Sequence, residues 1–376
     1  MRRKNTQKVV PMSKKAFFCA ISLLLACPAA AQDSARIPDD FDPLEERFKI
    51  EAAFIPNYRD MMRDVVSALG QYARDNNPDF LVFADGGLDL LTRGEWENNL
   101  DDLHRAEKSG AKTDDEKFLL KLFSPEHPIP EGTPIRRYIQ ALNGVVLKNR
   151  VCSGKTGVPT PAVRQIIDEY GLTVIGVEHC PTAKQRAAAK NSALLKKSPV
   201  HVDSDAADAF DAVSAPENET ADNVVSPAKA KNMLVLTNTR RFSDKDLLIK
   251  TLADTNFDLL VVDPFFKSNI ALTKDDVKEL QTKKIGSKRL VFAVLNVAVA
   301  EDTRPYWEKG WKPRDPAWLR FASKDDPDKI VVDYWNPDWK RIVGIYFRGI
   351  MELGFDGVVL QGLDHHKTYE RIIPID

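Results

Sequence analysis

Six carboxylates stand at or just beyond short apolar runs: Asp85, Glu178, Asp203, Asp263, Glu301 and Asp364. In a parallel α/β protein, residues at the carboxyl ends of strands face the side where chemistry is done. Two carboxyl groups there, one protonated and one not, can serve as acid and base about one bond. Asp364 is the leading catalytic candidate. Asp263 and Glu301 come next, and Glu178 is a partner from the other half of the chain. Each could equally serve as a helix cap or a salt-bridge partner.

A second group of residues suits ligand binding. Asp85, Lys148, Gln361 and Arg304 are polar groups at or near strand ends, and Arg304 and Lys148 could hold an acidic or N-acetylated sugar. Phe265, Phe266, Tyr306, Trp307, Trp311, Trp318, Tyr334, Trp335 and Trp339 cluster in loop-rich sequence. Flat rings with a polar edge suit the apolar faces of sugars, and the cluster is read as a cleft rather than a core, except Trp339, which its helix places in the core. The adjacent His365 and His366 cannot readily share one metal, and no Cys/His spacing resembles a zinc site, so no metal is expected. No nucleotide or pyridoxal-phosphate signature appears, and no cofactor is expected. Basic pairs such as Arg240–Arg241 are too sparse for nucleic acid.

These residues need a scaffold, and 376 residues, 43% hydrophobic, with a net charge of −1, can build a large core. The apolar runs Phe80–Phe83, Gly144–Leu147, Leu172–Val177, Pro199–Val202, Asn232–Leu236, Phe257–Val262, Arg289–Leu295 and Asp356–Leu360 read as strands. Helices are expected at Tyr58–Arg74, Asp114–Phe123, Thr160–Tyr170, Ala183–Lys197, Ser243–Ala253, Thr273–Thr282 and from Pro337 to Gly354. Ile330–Val332, the helix opened by Pro337 and the strand to Leu360 read as one parallel β–α–β unit. Eight such steps fit a (β/α)8 barrel or two four-strand domains. Residues 204–231, poor in large apolar side chains, read as a flexible linker.

The N-terminus reads as a targeting segment. Lys14 and Lys15 precede the apolar run Ala16–Ala26, and Ala29-Ala30-Ala31 offers a cleavage site before Gln32. Residues 1–31 are therefore expected to be removed and 32–46 to form an extended lead-in. The mature protein would be periplasmic or secreted with no membrane span. A lipoprotein anchored at Cys27 is the alternative. Cys152 and Cys180 remain after cleavage, and an even pair in an oxidising compartment suggests a disulfide, with two buried thiols as the alternative.

The stretch 298–307 (Ala-Val-Ala-Glu-Asp-Thr-Arg-Pro-Tyr-Trp), the corner Asp333-Tyr334-Trp335-Asn336-Pro337-Asp338-Trp339 and the run Gly354-Phe355-Asp356-Gly357 resemble motifs of glycoside hydrolase family 114. This is the endo-α-1,4-polygalactosaminidase family. Asp263 at the end of its apolar run fits the same pattern. Weaker matches, around Met62–Phe80 and Ala141–Val145, place the first half of the chain on that family's carboxy-terminal half. The resemblance implies a single circularly permuted (β/α)8 TIM barrel. Residues 47–203 would carry family strands five to eight and 232–376 strands one to four, with 204–231 bridging the old ends. A closed barrel has no natural first strand, so such a cut is sterically allowed.

The resemblance also implies an exported glycosidase acting on a galactosamine-rich or related polysaccharide through two carboxylates. Here the sequence departs from the pattern. The family's strand-four acid falls at Gln361, its strand-six acid falls near Lys148, and the first glutamate of its Gly-Glu-Ala-Glu stretch is Val299. A glutamine cannot ionise and a lysine cannot replace the carboxylate. The alternative is a catalytically degenerate barrel that binds polysaccharide or oligosaccharide without cleaving it.

Overall fold

In the computed structural model, eight parallel strands form one sheet that curls into a nearly closed barrel. Within the unit Ile37–Asp376, residues 54–376 are described, apart from 111–112, 114, 117–128, 153–158, 193–194, 196–197, 204–209, 324–327, 374 and 376. The stretches read as a signal segment (1–31) and a lead-in (32–46), most of the helix expected at Asp114–Phe123 and the first residues of the expected linker 204–231 lie outside the described residues. Among the described residues no helix is long and apolar enough to cross a membrane.

Strands are numbered along the described chain. The barrel contains β1 (Leu81–Asp85), β2 (Gly144–Lys148), β3 (Thr173–His179), β4 (Val200–Asp203), β5 (Met233–Leu236) and β6 (Leu259–Val262). A hairpin, β7 (Phe265–Phe266) and β8 (Ile270–Ala271), follows β6. The barrel then takes β9 (Leu290–Asn296). A side sheet of β10 (Val299–Glu301), β11 (Leu319–Ala322) and β12 (Lys329–Val332) precedes the last barrel strand, β13 (Gly357–Gln361).

The barrel order is β4-β3-β2-β1-β13-β9-β6-β5. Leu81–Ala84 pair with Gly357–Leu360, so the first and last barrel strands are neighbours. This pairing puts both halves in one sheet and excludes two separate four-strand domains. One expectation needs correcting. Ile330–Val332 is not a barrel strand, because β12 pairs antiparallel with β10 and β11. The parallel neighbour of β13 on that side is β9.

Side-chain alternation divides the core into two layers. Phe83, Val146, Val177, Val235, Val261, Phe292 and Val359 fill the lumen. Val82, Val145, Leu234, Leu260, Val291 and Val358 face the helices. Gly144 lets the lumen close: a Cβ there would lie 2.2 Å from Cε1 of Phe83 and 2.3 Å from the Thr173 carbonyl. At the amino ends, side chains of the residue before a strand bind the neighbouring strand's backbone. Asn143 accepts from Val82 N–H, Asn232 from Asp258 N–H and Asp356 from Val291 N–H, at 2.8–2.9 Å.

The helices follow their caps. Helix α1 (Tyr58–Asn76) starts at Asn57, whose side chain accepts the Asp60 N–H. Helix α2 (Glu95–Ser109) was not expected from the sequence, because its apolar stripe is only Trp96, Leu100 and Leu103. It is held by the buried Glu97, which receives the guanidinium of buried Arg63. The helix Pro337–Leu353 buries Trp339, Val343, Phe347 and Ile350 and ends at Gly354, at φ +89°. Residues 210–231 connect β4 to β5 with a single 3₁₀ turn, Pro227–Lys229, and place Val224 and Ala230 in the lumen core.

Where the sheet closes, β4 contributes His201, 6% exposed, against the ring of Phe210. Burial pushes this imidazole down to about 4, against weaker upward pulls from Asp203 and the Met233 backbone. The unfolded chain therefore binds a proton that the folded chain refuses between about pH 6.5 and pH 4. Stability should fall as pH drops through that window, by on the order of 3 kcal/mol from this group alone. In chemical denaturation at stepped pH, His201→Gln should show a visibly shallower loss than wild type. Parallel curves would contradict the assignment.

Candidate functional site

The alternation that fills the lumen also selects what reaches the barrel's mouth. On β1 the inward series runs Phe83, Asp85. On β2 it runs Val146, Lys148; on β9 Val294, Asn296; and on β13 Val359, Gln361. Asp85 is 9% exposed and sits between its neighbours' polar ends. Its Oδ2 lies 2.7 Å from Lys148 Nζ and accepts from Gln361 Nε2 at 3.2 Å. A cleft of about 360 Å³ opens above it, walled by Asp85, Lys148, Arg150, Asn296, Gln361, Asp364 and His365. Beneath, a narrow hole of about 20 Å³ leads into the lumen beside Phe210 and Thr237.

Asp364 reaches this cleft through a tight turn. Gly362 takes φ +83°, and a 3₁₀ turn, Leu363–His365, carries the carboxylate over Gly86. A Cβ on Gly86, itself at φ +90°, would lie 2.4 Å from Asp364 Oδ2, and one on Gly362 would lie 2.4 Å from Asn296 Oδ1. Both glycines are thus fixed by backbone conformation and by close approach. Asp364 is ion-paired with Lys367. Lys367 also reaches Asp89 at 3.2 Å, and Asp89 accepts from buried His366 at 3.0 Å. Burial alone would raise the Asp89 carboxyl, but the hydrogen bond and charge of His366, with Lys367 and Arg59, hold it well below the usual carboxylate range.

The remaining acids are placed elsewhere. Glu178 points away from the lumen, and its carboxylate accepts the backbone N–H groups of Arg150, Val151 and Cys152. It lies beside the Cys152–Cys180 disulfide, which forms as the cysteine count suggested. Cys152, Glu178 and Cys180 are close enough to share an ion, but the disulfide occupies both sulfurs. Asp263 is buried and gripped by Arg304 through two 2.8 Å bonds. Arg304 also donates to Glu301 at 2.7 Å and covers the Phe265 ring. Burial would lower the Arg304 guanidinium, but Asp263 and Glu301 raise it and keep it charged. These three close an ion network among themselves and do not line the mouth cleft.

Phe266, Trp318, Tyr334 and Trp339 are buried, which corrects the cleft reading for Phe266, Trp318 and Tyr334. Phe265 is half-buried, and Tyr306, Trp307, Trp311 and Trp335 are half-buried and packed against the core. Tyr334 is 0% exposed and donates its hydroxyl to the Tyr58 carbonyl. Trp335 packs on Tyr58, Tyr334 and Tyr369. Trp307, Trp311, Trp318 and Trp339 form a chain of ring contacts with centroids 5.1–5.6 Å apart. Tyr306 packs on Trp339 and Tyr346, and its hydroxyl accepts the Glu301 N–H. The sequence reading passed over Arg150, Asn296 and Phe210 as site residues. Asn296 carried a usable signal, since it ends the apolar run 290–295.

No protein-family model matches the chain. Parts of it are similar to uncharacterized proteins. One, from Deinococcus radiodurans, is 33% identical over 114 residues, 30% of this chain and 35% of that one. Another, from Methanocaldococcus jannaschii, is 30% identical over 149 residues, 40% of this chain and 42% of that one. A third, from Thermotoga maritima, is 36% identical over 77 residues, 20% and 24% of the two chains. The chain thus spans less than half the length of these relatives. Among solved structures, the glycoside hydrolase domain of PelA from Pseudomonas aeruginosa aligns over 37% of this chain and 50% of that one. At 16% identity and a TM-score of 0.25, that likeness carries no argument.

The geometry separates a structural acid from a site acid. Glu178→Ala strands three amides, that of Cys152 buried and those of Arg150 and Val151 partly so, and should lower unfolding free energy by about 2–4 kcal/mol. Asp364→Asn loses an exposed ion pair and should cost at most about 1 kcal/mol. Urea unfolding of both variants checks this, and the reverse ranking would refute the placement.

Proposed function

We propose that the chain is an exported, glycan-hydrolysing barrel of the endo-α-1,4-polygalactosaminidase type, circularly permuted, that acts on a galactosamine-rich or related polysaccharide. The observation that carries this reading is that two carboxylates, Asp85 and Asp364, line one open cleft at the carboxyl ends of the strands. Asp364 Oδ2 lies against Gly86, the residue after Asp85, and hydrolysis of a glycosidic bond uses two carboxyl groups on one cleft. In this reading Asp85, bonded by Lys148 and Gln361, takes the role of nucleophile or base, and Asp364 takes that of the group that protonates the leaving oxygen.

Other features support parts of this reading. The β4–β5 step, where a permutation would have joined the old ends, has no α-helix among its described residues. The disulfide suits an oxidising compartment, in keeping with the export signal read at residues 1–31.

A second reading, binding without cleavage, is favoured by one observation: Gln361 and Lys148 stand where the resembled family has acids. Incubation with galactosamine-rich exopolysaccharide, followed by quantifying new reducing ends, decides between them. Hydrolysis predicts product from wild type and a loss of at least about 100-fold in both Asp85→Asn and Asp364→Asn. Polymer retention without product, weakened by the same substitutions, would replace hydrolysis with binding.

A further inference from the structure

The ionic groups of the mouth cleft do not cancel. Asp85 is matched by Lys148 at 2.7 Å, and Asp364 by Lys367. Arg150, in the same wall, has no ion-pair partner among the described residues, and its Nε is buried without an acceptor. A buried donor left without an acceptor is costly, and a guanidinium is the donor best shaped for a carboxylate.

Arg150 is also presented rigidly. Its own N–H binds Glu178 Oε1 at 2.7 Å, and the next two amides bind the same carboxylate. Cys152 is tied to Cys180. On the other side, Asn149 adopts φ +51° and accepts the His179 N–H at 2.9 Å. None of these contacts uses the guanidinium, so the fold spends a buried carboxylate and a disulfide to fix this backbone and leaves the charge unused. His365, in the same cleft, likewise has a buried Nδ1 without a partner.

We propose that Arg150 anchors an anion subsite of the mouth cleft that takes the carboxylate of an acidic sugar. The inference rests on the glycan reading of that cleft and adds a substrate class to it: a polymer containing uronate residues. Glu178 and the disulfide are the positioning elements of the subsite.

Titration calorimetry on the full chain tests it, with galacturonate, galactose and galactosamine dimers as probes. Wild type should bind the galacturonate dimer at least 10-fold more tightly than the galactose dimer, and the preference should shrink with added salt. Arg150→Gln should abolish the preference, costing the galacturonate dimer at least about 10-fold more affinity than the galactose dimer, and Arg150→Lys should restore only part of it. Because the clamp uses the backbone of Arg150, both variants should melt with wild type, which separates lost binding from lost folding. Equal affinity of wild type for the two dimers, or an unchanged preference in Arg150→Gln, would overturn the subsite. If reducing ends are still released from galactosamine-rich polymer in that case, the glycan reading stands without the subsite.

Discussion

A strand's side chains alternate with a period of two, and in a barrel that period couples packing to function. The register that sends Phe83, Val146 and Val359 into the lumen also sends Asp85, Lys148 and Gln361 to its mouth. A one-residue slip of any of these strands would expose its lumen residues to the helices and remove its polar end from the site. The site is therefore as well specified as the core beneath it. Its central contact, Asp85 between Lys148 and Gln361, is made where β1 lies between β2 and β13.

That pairing also explains why both ends of the described chain are needed. Asp85 comes from the first barrel strand and Gln361 from the last, 276 residues apart. Asp364 and His366 continue from β13 into contacts with Gly86 and Asp89 beside β1. The mouth is thus built across the seam between the two halves, and neither half holds it alone.

The sequence revealed much of this scaffold because apolar runs of four to seven residues, closed by polar ones, are hard to read otherwise. All eight barrel strands lie on the expected runs. What it concealed follows from burial on both faces. Parallel strands covered on each side read as continuous apolar stretches, so Leu172–Val177 gives no sign that Val177 faces the lumen and Glu178 the opposite side. Glu178 therefore looked like a site acid, and only the geometry shows it bound to three amides. The aromatic residues misled for a different reason. Rings with polar edges suit a sugar platform, but those edges can be satisfied internally, as when Tyr334 donates to the Tyr58 carbonyl at 2.8 Å. Arg150 could not be found from the sequence, because its significance lies in what it fails to contact.

Amide hydrogen exchange on the full chain, with and without a galactosamine oligosaccharide, tests most directly whether the barrel's mouth is the working site. Added protection should appear at residues 85–86 and 361–365, which line the cleft. Protection confined to the aromatic stretch 306–318, with the mouth unchanged, would contradict the placement of the site and move it to that aromatic stretch.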